Sequence, residues 1–289
     1  MGGAILGLLL AGSAPADDRR EAVVLLPVEN MYSHPDPGTD VVSQAVIGQL
    51  VAVLATEADF ARIETPDHYP GWIRQAALLP YPGPSGPRYG TRGTLAEVVS
   101  LVANIYKEPS VTSARPLSQA PLGARLEVAS APEKGGWCRL RLPDGASGFI
   151  QAGDIREREA GAPTPRASPA ELVATARRLL GLPYLWGGMT PWGLDCSGLV
   201  GLVYHAHGVT LPRDADLQFE DPRAQVVQRR HLRPGDLVFF GRVKVTHVGL
   251  YVGGGRFISA TTHTTPTVRE DALDDPHWSA LYRGARRPR

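Results

Sequence analysis

In the first half of the chain, apolar residues come in short alternating runs, such as Leu50-Val51-Ala52-Val53-Leu54 and Arg139-Leu140-Arg141-Leu142, broken by Pro-Asp and glycine turns. Alternation of this kind predicts short half-buried strands, and the turn residues between them predict compact β-barrels. The pattern occurs twice. Val28-Glu29-Asn30-Met31-Tyr32 matches Val102-Ala103-Asn104-Ile105-Tyr106, and Ser43-Gln44-Ala45 matches Ser118-Gln119-Ala120. Phe60-Ala61-Arg62-Ile63 with Gly71-Trp72-Ile73 matches Trp137-Cys138-Arg139-Leu140 with Gly148-Phe149-Ile150, the three offsets being 74, 75 and 77. A fixed order with drifting spacing marks two homologous modules that differ by loop insertions.

Proline- and glycine-rich stretches, Pro80 to Pro87 and Ala160 to Pro169, interrupt the pattern, and the period then changes to that of a helix over Pro169 to Leu180. The expected organisation is a first barrel at 22–79, a linker at 80–93, a second barrel at 94–156, a linker at 157–167 and a different domain at 168–287. The run Ala4 to Ala11, followed by Ser13-Ala14-Pro15-Ala16, reads as a signal peptide over residues 1–16, although its first residues carry no Lys or Arg. Export is therefore the expected localisation, with a cytoplasmic protein as the alternative.

A chain of 289 residues with 43% hydrophobic and 20% charged residues and a mean hydropathy of -0.13 has enough apolar surface for more than one core. Its formal charge of +1 gives no surplus with which to bind nucleic acid. Two cysteines, Cys138 and Cys196, make neither a disulfide scaffold nor a cysteine-only metal site. No run downstream of the N-terminus is long enough to cross a membrane, so no transmembrane anchor is expected in the mature chain.

The candidate chemistry lies in the last segment. In Leu194-Asp195-Cys196-Ser197-Gly198-Leu199-Val200, Asp195 is a good N-cap and the apolar residues after it recur at helical spacing, so a helix should open at or just after the cysteine. Amides at a helix start favour a thiolate, which makes Cys196 a candidate nucleophile; a buried structural cysteine is the competing reading. In Thr246-His247-Val248-Gly249-Leu250-Tyr251-Val252, apolar and other residues alternate as in a half-buried strand. A turn at Val252-Gly253-Gly254 would oppose Gly249 to Phe257 and His247 to Ser259, leaving open space beside the imidazole of a candidate base.

Five motifs then fall in sequence: Tyr184-Leu185-Trp186-Gly187-Gly188, Leu194 to Val200, Pro212-Arg213-Asp214, Pro234-Gly235-Asp236-Leu237-Val238, and Thr246 to Tyr251. Together they resemble the NlpC-type papain-like cysteine peptidases of the cell wall, and the two preceding modules resemble bacterial SH3-like domains. The whole order is similar to that of the γ-D-glutamyl-L-diamino acid endopeptidases of the dipeptidyl-peptidase VI type.

The resemblance implies an α+β fold in which a cysteine-bearing helix packs on an antiparallel sheet, with no cofactor. It also implies Cys196 as nucleophile, His247 as base and Ser259 at the third catalytic position. The Cys196 amide and the Tyr184 hydroxyl would meet the oxyanion. Tyr184, Trp186, Asp195, Ser197 and Asp214 would bind substrate, with Asp214 suited to the ammonium of a free L-alanine. Tyr69 of the first module would close the pocket, and Glu29 is a further candidate. The implied partners are peptidoglycan-derived peptides; oligomeric state is not readable.

Two residues depart from the resemblance. Ser259 stands where histidine is usual, and Ala215 where serine often follows Arg-Asp. His263 is a second candidate to orient His247 or to line the pocket. His205, His207 and His231 lack the compact spacing of metal ligands, so no metal is expected. The rival readings are a wall-binding protein with a decayed centre, and an acyltransferase or amidase using the same Cys-His pair.

Overall fold

The computed structural model describes residues 20–81, 87–113, 115–130 and 135–289. The signal-peptide reading and the middle of the first linker lie outside them.

Seven short strands between Arg20 and Pro80 form the first barrel, in the order 41–46, 28–32, 70–74, 60–64, 50–57, 20–24, 78–80. Its inward alternate positions, among them Met31, Ala45, Val51, Ile63 and Ile73, make one apolar core. The second barrel pairs 102–105 with 118–121 and carries a five-stranded sheet between Thr94 and Glu159. The internal repeat extends to one side-chain bond. Gln44 Nε2 donates to Asn30 Oδ1 at 3.0 Å, and Gln119 Nε2 donates to Asn104 Oδ1 at 2.9 Å across the matching hairpin.

Helix α1 (Pro169–Arg178) opens the C-terminal unit with a complete capping box between Ser168 and Glu171. Helix α2 (Cys196–His205) then packs on a six-stranded antiparallel sheet ordered 225–227, 282–287, 237–240, 247–253, 256–261, 267–272. Strand alternation gives this sheet two apolar faces. Leu237, Phe239, Val248, Leu250 and Ile258 meet Leu199, Val200 and Val203 of α2. Val238, Phe240 and Phe257 point the other way, where helix α4 (Pro276–Leu281) covers them with Trp278. The short helix α3 (Ala215–Glu220) lies beside α2, with Ala215 and Phe219 packed on the same core.

The hairpin register differs from the expected one by two residues. Leu250 pairs with Ile258 and Tyr251 with Phe257, and the chain reverses between Gly253 and Arg256. A shift of two keeps every side chain on its face. Continued toward the strand start, this register sets Ser259 opposite Gly249 rather than opposite His247. Gly253, Gly254 and Gly255 all have positive φ, at 98°, 60° and 74°. A run of three residues that tolerate such φ allows several turn placements, and the sequence does not choose among them.

The three units dock on one another. Gln44 Oε1 of the first barrel accepts from the Met189 amide at 2.9 Å, and a Cβ on Gly187 would lie 2.6 Å from the Val41 carbonyl. Val23 and Ile47 of the first barrel enter the core of the second, and Leu122 of the second enters the core under α2.

Candidate active site

Asp195 has extended backbone angles and caps α2 through Oδ1, which accepts from the Gly198 amide at 2.7 Å. The same carboxylate accepts from Ser197 Oγ at 3.1 Å and from the Gly187 amide at 3.1 Å. Arg213, only 2% exposed, grips it at both oxygens, at 3.2 and 2.5 Å. Its guanidinium also donates to Ser197 Oγ at 2.9 Å and to Ser43 Oγ of the first barrel at 3.1 Å. The side chains of Asp195 and Ser197 are thus engaged in a buried network beside Cys196.

Cys196 is the first residue of α2 and retains 9% exposure. Its sulfur receives the backbone amides of Ser197 and of Val248, which sets it beside the start of the strand that carries His247. The thiol's protonation is opposite to that expected from the helix start. Burial, followed by the charge of Asp195, pushes its pKa up to about 12, and the two amides offset only part of this. His247 is pushed down to about 4, chiefly by burial, with Asp271 and Asp195 pulling it back up. Both shifts favour the uncharged thiol and the uncharged imidazole.

His247 Nε2 and Ser259 Oγ are 3.0 Å apart, and Ser259 is fully buried. A neutral imidazole that carries its proton on Nε2 donates to the serine and keeps Nδ1 as the basic nitrogen. The ring spans the diagonal over Gly249, where a Cβ would stand 2.4 Å from the Phe257 ring.

Tyr184 is half-buried beside the thiol; burial and then the charge of Cys196 raise its ionisation well above normal, so its hydroxyl remains a donor. Trp186 is 67% exposed on the rim. Tyr69 reaches from the first barrel and donates its hydroxyl to Asp214 Oδ2 at 2.9 Å. Burial raises the Asp214 carboxyl, while the Tyr69 bond and Arg213 lower it. Glu29 is engaged within the first barrel by Arg74 at 2.6 Å.

His263 stacks on His277, ring centroids 3.7 Å apart, and Trp278 stands between this pair and His247. His207 bonds Thr175 at 2.9 Å, His205 packs on Gly123, and His231 lies on a separate 3-10 turn. Both cysteines are free. A cavity of about 370 Å³ at the junction of the three units lies against Ser197, Gly201 and His205 of α2, and its lining includes neither Cys196 nor His247.

Arg213 and Trp278 were not assigned roles from the sequence. Arginine in Pro212-Arg213-Asp214 beside a lone helix-capping carboxylate is the signal for the first; the second lies in Asp274 to Ser279, a segment that carries part of the resemblance but does not reveal a contact with His247.

A thiol at a capped helix start, set against a sheet strand that carries a half-buried imidazole, is the arrangement a papain-like cysteine peptidase requires. Residues 181–287 match the NlpC/P60 family, and residues 31–78 match the bacterial dipeptidyl-peptidase Sh3 domain. The chain is 31% identical over 259 residues to a gamma-D-glutamyl-L-lysine dipeptidyl-peptidase of Bacillus cereus, covering 85% of this chain and 74% of that one. It is 26% identical over 269 residues to dipeptidyl-peptidase 6 of Lysinibacillus sphaericus, covering 91% and 94%. The crystal structure of an NlpC/P60 family protein from Bacillus cereus superposes with a TM-score of 0.80 at 25% identity, covering 92% of this chain and 99% of that one. The chain belongs to the NlpC/P60 family.

Proposed function

We propose that the protein hydrolyses the bond between γ-D-glutamate and a diamino acid in peptidoglycan-derived peptides that carry a free N-terminal L-alanine. The observation that carries this reading is the Tyr69–Asp214 hydrogen bond, which sets a partly buried carboxylate under a wall supplied by another domain. A carboxylate so placed binds an ammonium, and the wall excludes peptides that continue past it. The relatives named as dipeptidyl-peptidases cover most of both chains and support the same reading.

In the proposed reaction the γ-carbonyl approaches Cys196 and His247 takes the thiol proton as the sulfur attacks. Because burial favours the neutral form of both groups, the charge pair is taken to form during attack. The Cys196 amide and the Tyr184 hydroxyl stabilise the oxyanion. The imidazolium gives its proton to the leaving amine of the diamino acid, and a thioester remains on Cys196. Water, deprotonated by His247, cleaves the thioester and releases L-Ala-D-Glu.

The Asn–Gln bond shared by the hairpins supports reading residues 94–156 as a second SH3-like copy, with 80–93 and 157–167 as linkers. Among the described residues no helix is long and apolar enough to cross a membrane. With a cell-wall substrate, the proposed place of action is the periplasm or the exterior.

The test is release of L-Ala-D-Glu from L-Ala-γ-D-Glu-diaminopimelate or its L-lysine counterpart. Wild-type protein releases the dipeptide and Cys196→Ala does not. Equal turnover by that variant would refute the reading.

A further inference from the structure

Ser259 gives His247 one neutral hydrogen bond and no charge, so the bond by itself provides little to hold the ring plane or to stabilise an imidazolium. The other contacts of the imidazole are aromatic. Trp278 lies face to face with it, centroids 4.9 Å apart and planes 24° apart, and Phe240 is tilted against it at 5.9 Å. The indole is locked in turn by the edges of Phe257, His263 and His277. It is 3% exposed, and its N–H has no acceptor among the described residues. Leaving a buried donor unpaired is costly, and a plain apolar ring would fill the same space without that cost. What the indole adds is the most electron-rich face available to a cation.

We propose that Trp278 is the positioning residue of the catalytic histidine: its face fixes the plane of the His247 ring and stabilises the imidazolium formed during the reaction. This rests on the assignment of Cys196 and His247 made above. The titratable groups that act on the ring are Asp271 on the edge strand, Asp195 at the α2 cap and His277 on α4, while the Cys196 thiol is held at the amide of the neighbouring Val248. Of these, His277 stands beyond Trp278, whose indole separates it from the ring of His247.

The experiment compares Trp278→Phe and Trp278→Leu with wild type in dipeptide release. It also follows the His247 imidazole by NMR titration, its signal assigned by its loss in His247→Gln. Trp278→Leu should lower kcat about 10-fold or more with KM within about twofold, as expected for lost orientation of a base. It should also shift the His247 titration to lower pH, because the cation loses its favourable face. Trp278→Phe should restore at least about a third of kcat and titrate between the other two. If Trp278→Leu does not fold, the titration of the Phe variant decides, a downward shift supporting the role and an unmoved one overturning it. The proposal is also overturned if Trp278→Leu keeps kcat within about twofold, or if kcat falls while the titration stays in place. Because the titration does not depend on turnover, its outcome is separable from loss of the functional reading, which an active Cys196→Ala would signal.

Discussion

Tyr69 on the first barrel and Asp214 at the start of α3 share a hydrogen bond of 2.9 Å, so the wall proposed for the substrate pocket comes from a different unit of the fold than Cys196. Removing the hydroxyl changes both the wall and the carboxylate. Burial already raises the Asp214 carboxyl, and the Tyr69 bond is the first influence that lowers it. In Tyr69→Phe the carboxyl therefore moves further up, and the charged form needed by an ammonium is lost at a higher pH. The expected outcome is a fall in kcat/KM of about 5- to 10-fold at neutral pH, carried mostly by KM and corresponding to about 1 kcal/mol. Profiles of kcat/KM against pH should show the acid limb displaced upward; an unmoved limb would contradict this use of Asp214.

Arg213 carries another link between domains, joining Asp195 and Ser197 to Ser43. Arg213→Met would leave the Asp195 carboxylate buried with neutral donors only. Breaking one partner from such a pair costs about 3–5 kcal/mol. A urea midpoint lowered accordingly, with loss of dipeptide release, is the expected result, and unchanged stability would contradict the network's role.

The resting state of the Cys196–His247 pair is open to direct chemistry. With the thiol pushed up to about 12 and the imidazole down to about 4, burial disfavours a thiolate in the free enzyme at neutral pH. Iodoacetamide should modify Cys196 more slowly than free cysteine at pH 7, and the rate should climb through pH 9 and above. A fast rate that is flat from pH 5 to 8 would instead reveal a preformed ion pair.

Particular residues show what could be read from the chain alone. The matched positions Asn30 with Gln44 and Asn104 with Gln119 were visible as a repeat and form the same bond in each barrel. The helix start at Cys196 was legible because Asp195 is a local cap, readable from adjacent residues. The hairpin register was not, because three consecutive glycines make neighbouring turns equally open to the backbone. The protonation of Cys196 was also hidden. It depends on burial beneath the strand that carries Val248, and that is a tertiary fact which outweighs the local helix start. Trp278 was illegible for the same reason, since only the fold carries α4 across the sheet to the ring of His247.

The reading of Asp214 as the acceptor of a free amino terminus is tested most directly by one substrate pair, L-Ala-γ-D-Glu-L-Lys with its amine free and the same peptide N-acetylated. Acetylation removes the positive charge and adds bulk under Tyr69, so kcat/KM should fall about 100-fold or more, corresponding to a lost charge-assisted contact and a clash. Equal kcat/KM for the two peptides would contradict a carboxylate-and-tyrosine site for the free amine.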